Sequence, residues 1–201
     1  MPIAQPNCDT DQIIPARYLQ KPRADDFGRY LFYDLRFRRD GSEEPEFVLN
    51  RAAYRQARIV VAERNFACGS SREHAVWALY DYGFRVVIAP SFGDIFFSSA
   101  LKNGLLPIVL PAAAVAEMME ALQAVPGSRI GVDLDAQTVA APDGIKQSFA
   151  IDPFSKHCLL HGLDELDFTL SQVEHIAEFE RRCEGSDLLT SAKRRVPVAT
   201  N

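Results

Sequence analysis

The stretch from residue 57 to residue 110 constrains the fold most, because it carries two consecutive βαβ patterns. Ala57-Arg58-Ile59-Val60-Val61-Ala62-Glu63 is a short β-branched run, the length of a buried strand rather than of a helix. A polar loop follows, then a helical pattern from Ser71 to Tyr82 that Gly83 is placed to close. Arg85-Val86-Val87-Ile88-Ala89 reads as a second buried strand and Ser91 as the cap of a helix reaching about Lys102. Gly104 ends that helix, and Leu105 to Leu110 supply a third strand. Such units build parallel sheet with right-handed crossovers, and ligands gather beyond the carboxyl ends of its strands. The loop from Asn65 to Ser70 belongs at that edge.

Past the third strand, Pro111 to Val125 reads as a helix stopped by Pro126-Gly127. Short alternating strands around the turn Pro142-Asp143-Gly144 then point to antiparallel pairing. Pro153 to Leu160 and Leu170 to about Cys183 have helical patterns with Gly162 between them, and Ser191 to Asn201 is a basic, uncapped tail expected to be mobile. Residues 1–56 are less regular, with Asp9-Thr10-Asp11, an aromatic stretch from Phe27 to Phe37 and a charged segment from Arg38 to Glu46. Loops of this kind often line sites. With no internal repeat and no low-complexity linker, the 201 residues are read as one domain. Its parts are a pocket-lining region (1–56), a βαβαβ core (57–110), a mixed part with a helix, antiparallel strands and C-terminal helices (111–190), and the tail (191–201). The class is α/β, a parallel βαβ core with an additional antiparallel β layer.

A net charge of −5 provides no positive field to gather nucleic acid or anionic lipid, so neither is an expected partner. The N-terminal residues lack the basic start and apolar run of a secretory signal, and no window is long enough to span a bilayer. A cytoplasmic location is expected. Cys8, Cys68, Cys158 and Cys183 form no C-x-x-C pair, so spacing gives neither a zinc site nor a cluster-binding run. Most are expected to be reduced, buried thiols.

The segment Gly69-Ser70-Ser71-Arg72-Glu73-His74 sits where a strand passes into a helix, so free amide groups and the positive end of the helix dipole favour an anion there. Arg72 offers a guanidinium fork for a carboxylate or phosphate, and Gly69 permits close backbone approach. The same letters also spell a capping box, in which Ser70 and Glu73 satisfy amides and nothing more. A nucleophile elbow is excluded, because glycine does not stand two residues to either side of a serine. A Cys68–His74 thiol pair is a poor match, and His74 in a first turn is more often a packing residue than a base. Asp9 and Asp11 could be metal ligands, although acids beside threonine more commonly form turns and caps.

Asn65-Phe66-Ala67-Cys68-Gly69-Ser70-Ser71-Arg72-Glu73-His74-Ala75 closely resembles the signature of the swivelling domain of the aconitase superfamily. Asn7-Cys8-Asp9-Thr10-Asp11-Gln12-Ile13-Ile14-Pro15-Ala16, the stretch Tyr82 to Leu106 with Ala89-Pro90-Ser91-Phe92, and His157-Cys158-Leu159-Leu160-His161-Gly162-Leu163-Asp164 resemble, within it, the bacterial 3-isopropylmalate dehydratase small-subunit family. The likeness spans nearly the whole chain. It implies a swivelling β/β/α domain that closes, as one half of a heterodimer, over a 3-isopropylmalate dehydratase large subunit carrying a [4Fe-4S] cluster, with no cofactor bound by this chain. It also implies a place in leucine biosynthesis and a 2-hydroxy diacid as substrate.

By position, Ser70 matches the family's general base and Arg72 the arginine that holds a substrate carboxylate. Ser71 matches a second substrate-contacting serine, Gly69 shares the loop, and Thr10 and Asp11 match a threonine–aspartate pair lining the same pocket. Ile14 stands where aconitase has a further serine. The loop holding the arginine that binds aconitase's distal carboxylate has no firm counterpart in the stretch from Arg17 to Arg29, and no residue is assigned that role. An isopropyl group would need an apolar surface there, for which Tyr18, Leu19 and Phe27 are candidates. The family pattern usually starts with further residues forming a first strand. The chain is therefore short at its N-terminus, as a late start codon or a truncation would leave it, and an exposed or mobile edge is expected near residues 1 to 6.

The implied reaction removes water from 2-isopropylmalate and returns it with the hydroxyl on the neighbouring carbon. Two other readings stay open on sequence: the small subunit of a related hydro-lyase of the homoaconitase or methylmalate/citraconate type, and a non-catalytic anion-binding module.

Overall fold

A computed structural model describes residues 1–23 and 26–184, the side chain of Glu184 excepted. The residues divide into two compact units, Met1–Gly162 and a second that begins at Leu163. The tail expected to be mobile, 191–201, lies outside the described residues.

The first unit opens with β1 (Pro2–Ile3) and α1 (Thr10–Ile13), followed by the single-turn α2 (Tyr33–Arg36) and several 3-10 turns. The core alternates as β2 (Ile59–Ala62), α3 (Glu73–Tyr82), β3 (Val86–Ala89), α4 (Asp94–Lys102) and β4 (Leu106–Val109). Then come α5 (Ala112–Ala124), the strands β5 (Gly131–Asp133), β6 (Thr138–Ala140) and β7 (Lys146–Ser148), and α6 (Pro153–His161). The second unit holds α7 (Glu165–Ser171) and α8 (Val173–Glu184), where the sequence pattern had suggested one helix from Leu170.

Strands β1 to β4 pair in that order, all parallel, and β5 to β7 form a separate antiparallel sheet. The α/β class with a parallel core and an added antiparallel layer is therefore the one observed. Because side chains alternate along a strand, the parallel sheet feeds two cores. Val60, Ala62, Val87 and Ala89 face the layer that holds α3, α4 and much of residues 1–54. Val61, Ile88, Leu106 and Ile108 face α5 and β6, with Val139 among them. Val60, Val61, Val87 and Ile88 are wholly buried, each contributing about 1.5–3 kcal/mol through removal of apolar surface from water.

The expectation of an exposed or mobile edge near residues 1 to 6 holds only in part. Ala4 to Pro6 are exposed, whereas Met1, Pro2 and Ile3 are buried. Pro2 and Ile3 pair with Val61 and Ala62, and the Met1 amine donates to the Ile59 carbonyl at 2.7 Å. Pairing satisfies the backbone and apolar packing covers the side chains, so this short edge is not free.

Candidate active site

The loop between β2 and α3 is bent by three residues in the left-handed region, Asn65 (φ 59°), Ala67 (φ 56°) and Gly69 (φ 89°). Asparagine and glycine accept that conformation readily, but for alanine it costs on the order of 1–2 kcal/mol. The surroundings impose it. The Asn65 and Phe66 amides donate to the Ser91 hydroxyl (2.8 Å) and carbonyl (3.0 Å), and the Gly93 amide donates back to the Phe66 carbonyl at 2.9 Å. From the other side, the Thr10 amide donates to the Cys68 carbonyl at 3.0 Å. Gly93 is needed for this closure, since a Cβ there would lie 2.5 Å from the Ala67 carbonyl oxygen.

Ser91 therefore serves the loop rather than capping a helix, which corrects the sequence expectation. Helix α4 starts at Asp94 with Gly93 as its N-cap. The capping box expected as one alternative at Ser70 and Glu73 is also absent. Helix α3 starts at Glu73, its N-cap is Arg72, and no side chain caps it. The Glu73 carboxylate instead accepts from Asn103 Nδ2 at 3.0 Å, and Ser70 remains in the loop, exposed. The amides at the start of α3 thus keep their affinity for an anion.

An open cavity of ≈ 230 Å³ lies at this point. Thr10, Gly69, Ser70, Ser71 and Arg72 form one wall. The other is the start of α4, with Gly93, Asp94, Ile95 and Ser99, while Ala67 and Phe96 add apolar surface. Helix α4 like α3 begins without a side-chain cap, so two helix starts border one cavity.

Five of the six site residues carried over from the resemblance line the cavity, and the sixth, Asp11, contacts one of them. The Thr10 hydroxyl donates to the Ser70 carbonyl at 2.9 Å, which fixes the serine's backbone. Asp11 accepts both arms of the Arg72 guanidinium, the Nη2–Oδ2 distance being 3.0 Å. Nη1 reaches the Ile14 carbonyl at 3.5 Å. The hydrogen bond from Arg72 holds the Asp11 carboxyl below the usual carboxylate range; burial opposes it, and the Arg72 charge and a backbone hydrogen bond at Ala16 add to the lowering. Asp9 takes a different role: its side chain caps α1, and the Gln12 side chain accepts from the Asp9 amide at 3.1 Å. Two acids two residues apart thus divide into a cap and an arginine partner.

Other candidates fall away from the cavity. His74 packs on Phe27 and Trp77, with ring centroids 6.1 Å and 4.6 Å away. Phe27 is buried in the core, and Tyr18 is stacked on Tyr30 at 4.3 Å. Neither they nor Leu19 line the cavity, whose apolar surface comes from Ala67, Ile95 and Phe96. Arg17, at the head of the segment where no distal-carboxylate arginine could be aligned, is bound in bidentate fashion by Asp34. The wall at the start of α4 was not among the residues that the sequence pointed to. Its signal was the second strand-to-helix loop, Ser91-Phe92-Gly93-Asp94, which ends at the same sheet edge as the first.

None of the four cysteines is in a disulfide; Cys8 and Cys158 are buried, Cys68 and Cys183 half-buried. The expectation that most would be buried thus fits two of them. Burial, then the negative charge of Asp9 and the neighbouring Cys68, pushes the Cys8 thiol up to about 12. Among the described residues no three His, Cys, Asp or Glu side chains converge into a group able to hold a metal ion. No helix of the described residues is long and apolar enough to cross a membrane.

A family model described as the aconitase C-terminal domain matches residues 2–113, and a second, LeuD_N, matches residues 116–153. A relative from Rhodospirillum centenum, the 3-isopropylmalate dehydratase small subunit, is 51% identical over 90% of this chain and 89% of its own length. The chain belongs to this small-subunit family. The family's protein of the same name from Rhodospirillum rubrum is 47% identical over 96% of the chain and 93% of its own length. The crystal structure of 3-isopropylmalate dehydratase from Methanocaldococcus jannaschii superposes with a TM-score of 0.62 at 24% identity, covering 89% of this chain and 95% of that one. At that identity the likeness speaks for the fold, and the fold agrees with the family.

Proposed function

We propose that the chain acts as the small subunit of a 3-isopropylmalate dehydratase, a hydro-lyase of leucine biosynthesis that works with a large subunit, and that Ser70 and Arg72 carry its share of the chemistry. The observation that carries this is the placement of the exposed Ser70 and Ser71 beside an oriented arginine, at an uncapped helix start within the ≈ 230 Å³ cavity.

Dehydration of 2-isopropylmalate begins with loss of a weakly acidic proton next to a carboxylate. Ser70 Oγ takes that proton. A free serine is a poor base, so the charge on Oγ must be stabilised, and the amides opening α3 together with Arg72 supply the donors. Arg72, with one face on Asp11, binds a substrate carboxylate through its remaining N–H groups. Ser71 and the Gly69 backbone contact the same anion, and Thr10 keeps the Ser70 backbone in place. Ala67, Ile95 and Phe96 suit the isopropyl group, and Arg17 pairs with Asp34 and does not line the cavity.

The cysteines of this chain do not fit a cluster, because Cys8 is buried with its thiol strongly disfavoured as thiolate and no three ligands converge among the described residues. The [4Fe-4S] cluster that the family resemblance assigns to the large subunit would, when bound there, supply the Lewis acid for the leaving hydroxide. Rehydration uses the same groups in reverse, with Ser70 returning the proton.

Reconstitution of the chain with its large subunit and assay of both isopropylmalate isomers tests the reading. Interconversion by wild type, and an assembled but inactive Ser70→Ala complex, are expected. Undiminished turnover by that variant would remove Ser70 as the base.

A further inference from the structure

A second concavity, of ≈ 410 Å³, lies along the same edge of the parallel sheet. Val115 and Met119 of α5 form its buried floor, Ala112 and Ala116 line it as exposed small residues, and Pro90 and Ala4 complete the apolar lining. Glu63, Arg64 and Glu120 stand on the rim, and none of the three forms an ion pair among the described residues. The groove shares its loops with the candidate active site. After β2, Arg64 borders the groove and the next residues, Asn65 to Arg72, build the catalytic loop. After β3, Pro90 borders the groove and Gly93 to Phe96 line the cavity. The catalytic cavity opens on the α3/α4 side of the sheet edge and the groove on the α5 side.

We propose that this groove is a docking surface for the large subunit, occupied by an apolar projection of that subunit flanked by a basic group facing Glu63 and Glu120. The inference rests on the proposed function. If the substrate is completed between Ser70 and a partner's reacting centre, that partner must lie over the carboxyl-end edge of the sheet, and the groove is the apolar surface continuous with it. A shallow apolar floor with a charged rim is the composition of a protein interface. Two acids against one base on the rim disfavour a second copy of this chain and favour a cationic margin on the partner.

Ala116→Arg tests this directly, since residue 116 is exposed on α5 and a long cation there obstructs the groove without touching the cavity. Association of the two purified subunits would be followed by titration, with Ala113→Arg, exposed on the same helix and outside the groove, as the matched control. The dissociation constant is expected to rise about ten-fold or more for Ala116→Arg, to stay near wild type for Ala113→Arg, and kcat at saturating large subunit is expected to be unchanged. Glu120→Lys should weaken association more at low salt than at high salt. Wild-type affinity in both Ala116→Arg and Glu120→Lys would overturn the docking site. So would a dimer of the lone chain that Ala116→Arg dissociates, which would assign the groove to a second copy. A complex that forms but does not interconvert isopropylmalates would instead refute the proposed function and leave the docking result standing.

Discussion

Two helix starts separated by about 60 residues in sequence but joined in space show how differently this chain treats the same physical problem. At α1, Asp9 caps the helix through the Gln12 amide at 2.8 Å and Gln12 returns the contact, so the local donors are satisfied internally. Helices α6 and α7 are likewise capped by Asp152 and Asp164. At α3 no side chain caps the start, although a serine and a glutamate stand at the right spacing to do so. Glu73 is diverted to Asn103 and Ser70 is held back in the loop by Thr10. Helix α4, on the opposite wall, starts the same way. The starts of α1, α6 and α7 are closed by aspartates, and the starts of α3 and α4, which face each other across the cavity, are open. Helices α2 and α5 also start uncapped, at Phe32 and Pro111, so the absence of a cap gains its meaning only from the cavity beside it.

The contrast breaks most decisively at Ser70. In the reconstituted enzyme Ser70→Ala should lower kcat by roughly 10³-fold or more while thermal stability and assembly stay near wild type; an unchanged kcat would make α3 just another helix start. Next comes Arg72→Lys, which keeps the charge but loses the planar fork. Steady-state kinetics should show a fall in kcat/KM on the order of 10²-fold, and a loss under three-fold would mean that the bidentate geometry is idle. Gly93→Ala drives a methyl group toward the Ala67 carbonyl, so thermal or chemical denaturation should register a loss of about 1–3 kcal/mol, accompanied by reduced turnover as the loop shifts. At the capped start, Asp9→Ala should cost only about 1 kcal/mol by the same measurement.

The smallest effect is in the pH dependence. Arg72 holds the Asp11 carboxyl below its ordinary range, so the contribution of the pair to stability is fully present above the unfolded value near 3.9. It is lost as pH falls through the lower folded value. A carboxyl-carbon NMR titration of Asp11 should have its midpoint below about 3.9 in wild type and move upward in Arg72→Ala. An Asp11 midpoint indifferent to Arg72 would show that the pair does not form in solution.

Much of the core was legible because strand length, β-branching and glycine stops are local signals. The runs around Val60 and Val87 became β2 and β3, and the antiparallel turn at Pro142-Asp143-Gly144 joins β6 to β7. Of the cavity wall, Thr10 and Gly69 to Arg72 were legible in the sequence, but not their hydrogen-bond partners or the opposite wall at the start of α4. Ser70-x-x-Glu73 has the spacing of a cap, and Ser91 stands before a helix as a cap would. Each was taken elsewhere by a long-range partner, Thr10 in one case and Asn65 in the other. The apolar lining shows the same limit: Phe27, Tyr18 and Leu19 are near in sequence to Thr10 and Asp11, but packing draws Phe27 inside and Tyr18 onto Tyr30, and Ile95 arrives from a different crossover.

The sequence by itself determined the parallel βαβ core, the edge at which a ligand would gather, and the family to which the Asn65 to Ala75 segment points. These depend on residue type and spacing along a few turns of chain. Only the tertiary structure decided which helix starts stay open, which of two neighbouring aspartates serves Arg72, and which apolar residues face the cavity. Those outcomes are competitions among hydrogen-bond and packing partners far apart in the chain, and a competition of that kind is settled only when the whole fold has brought the competitors together.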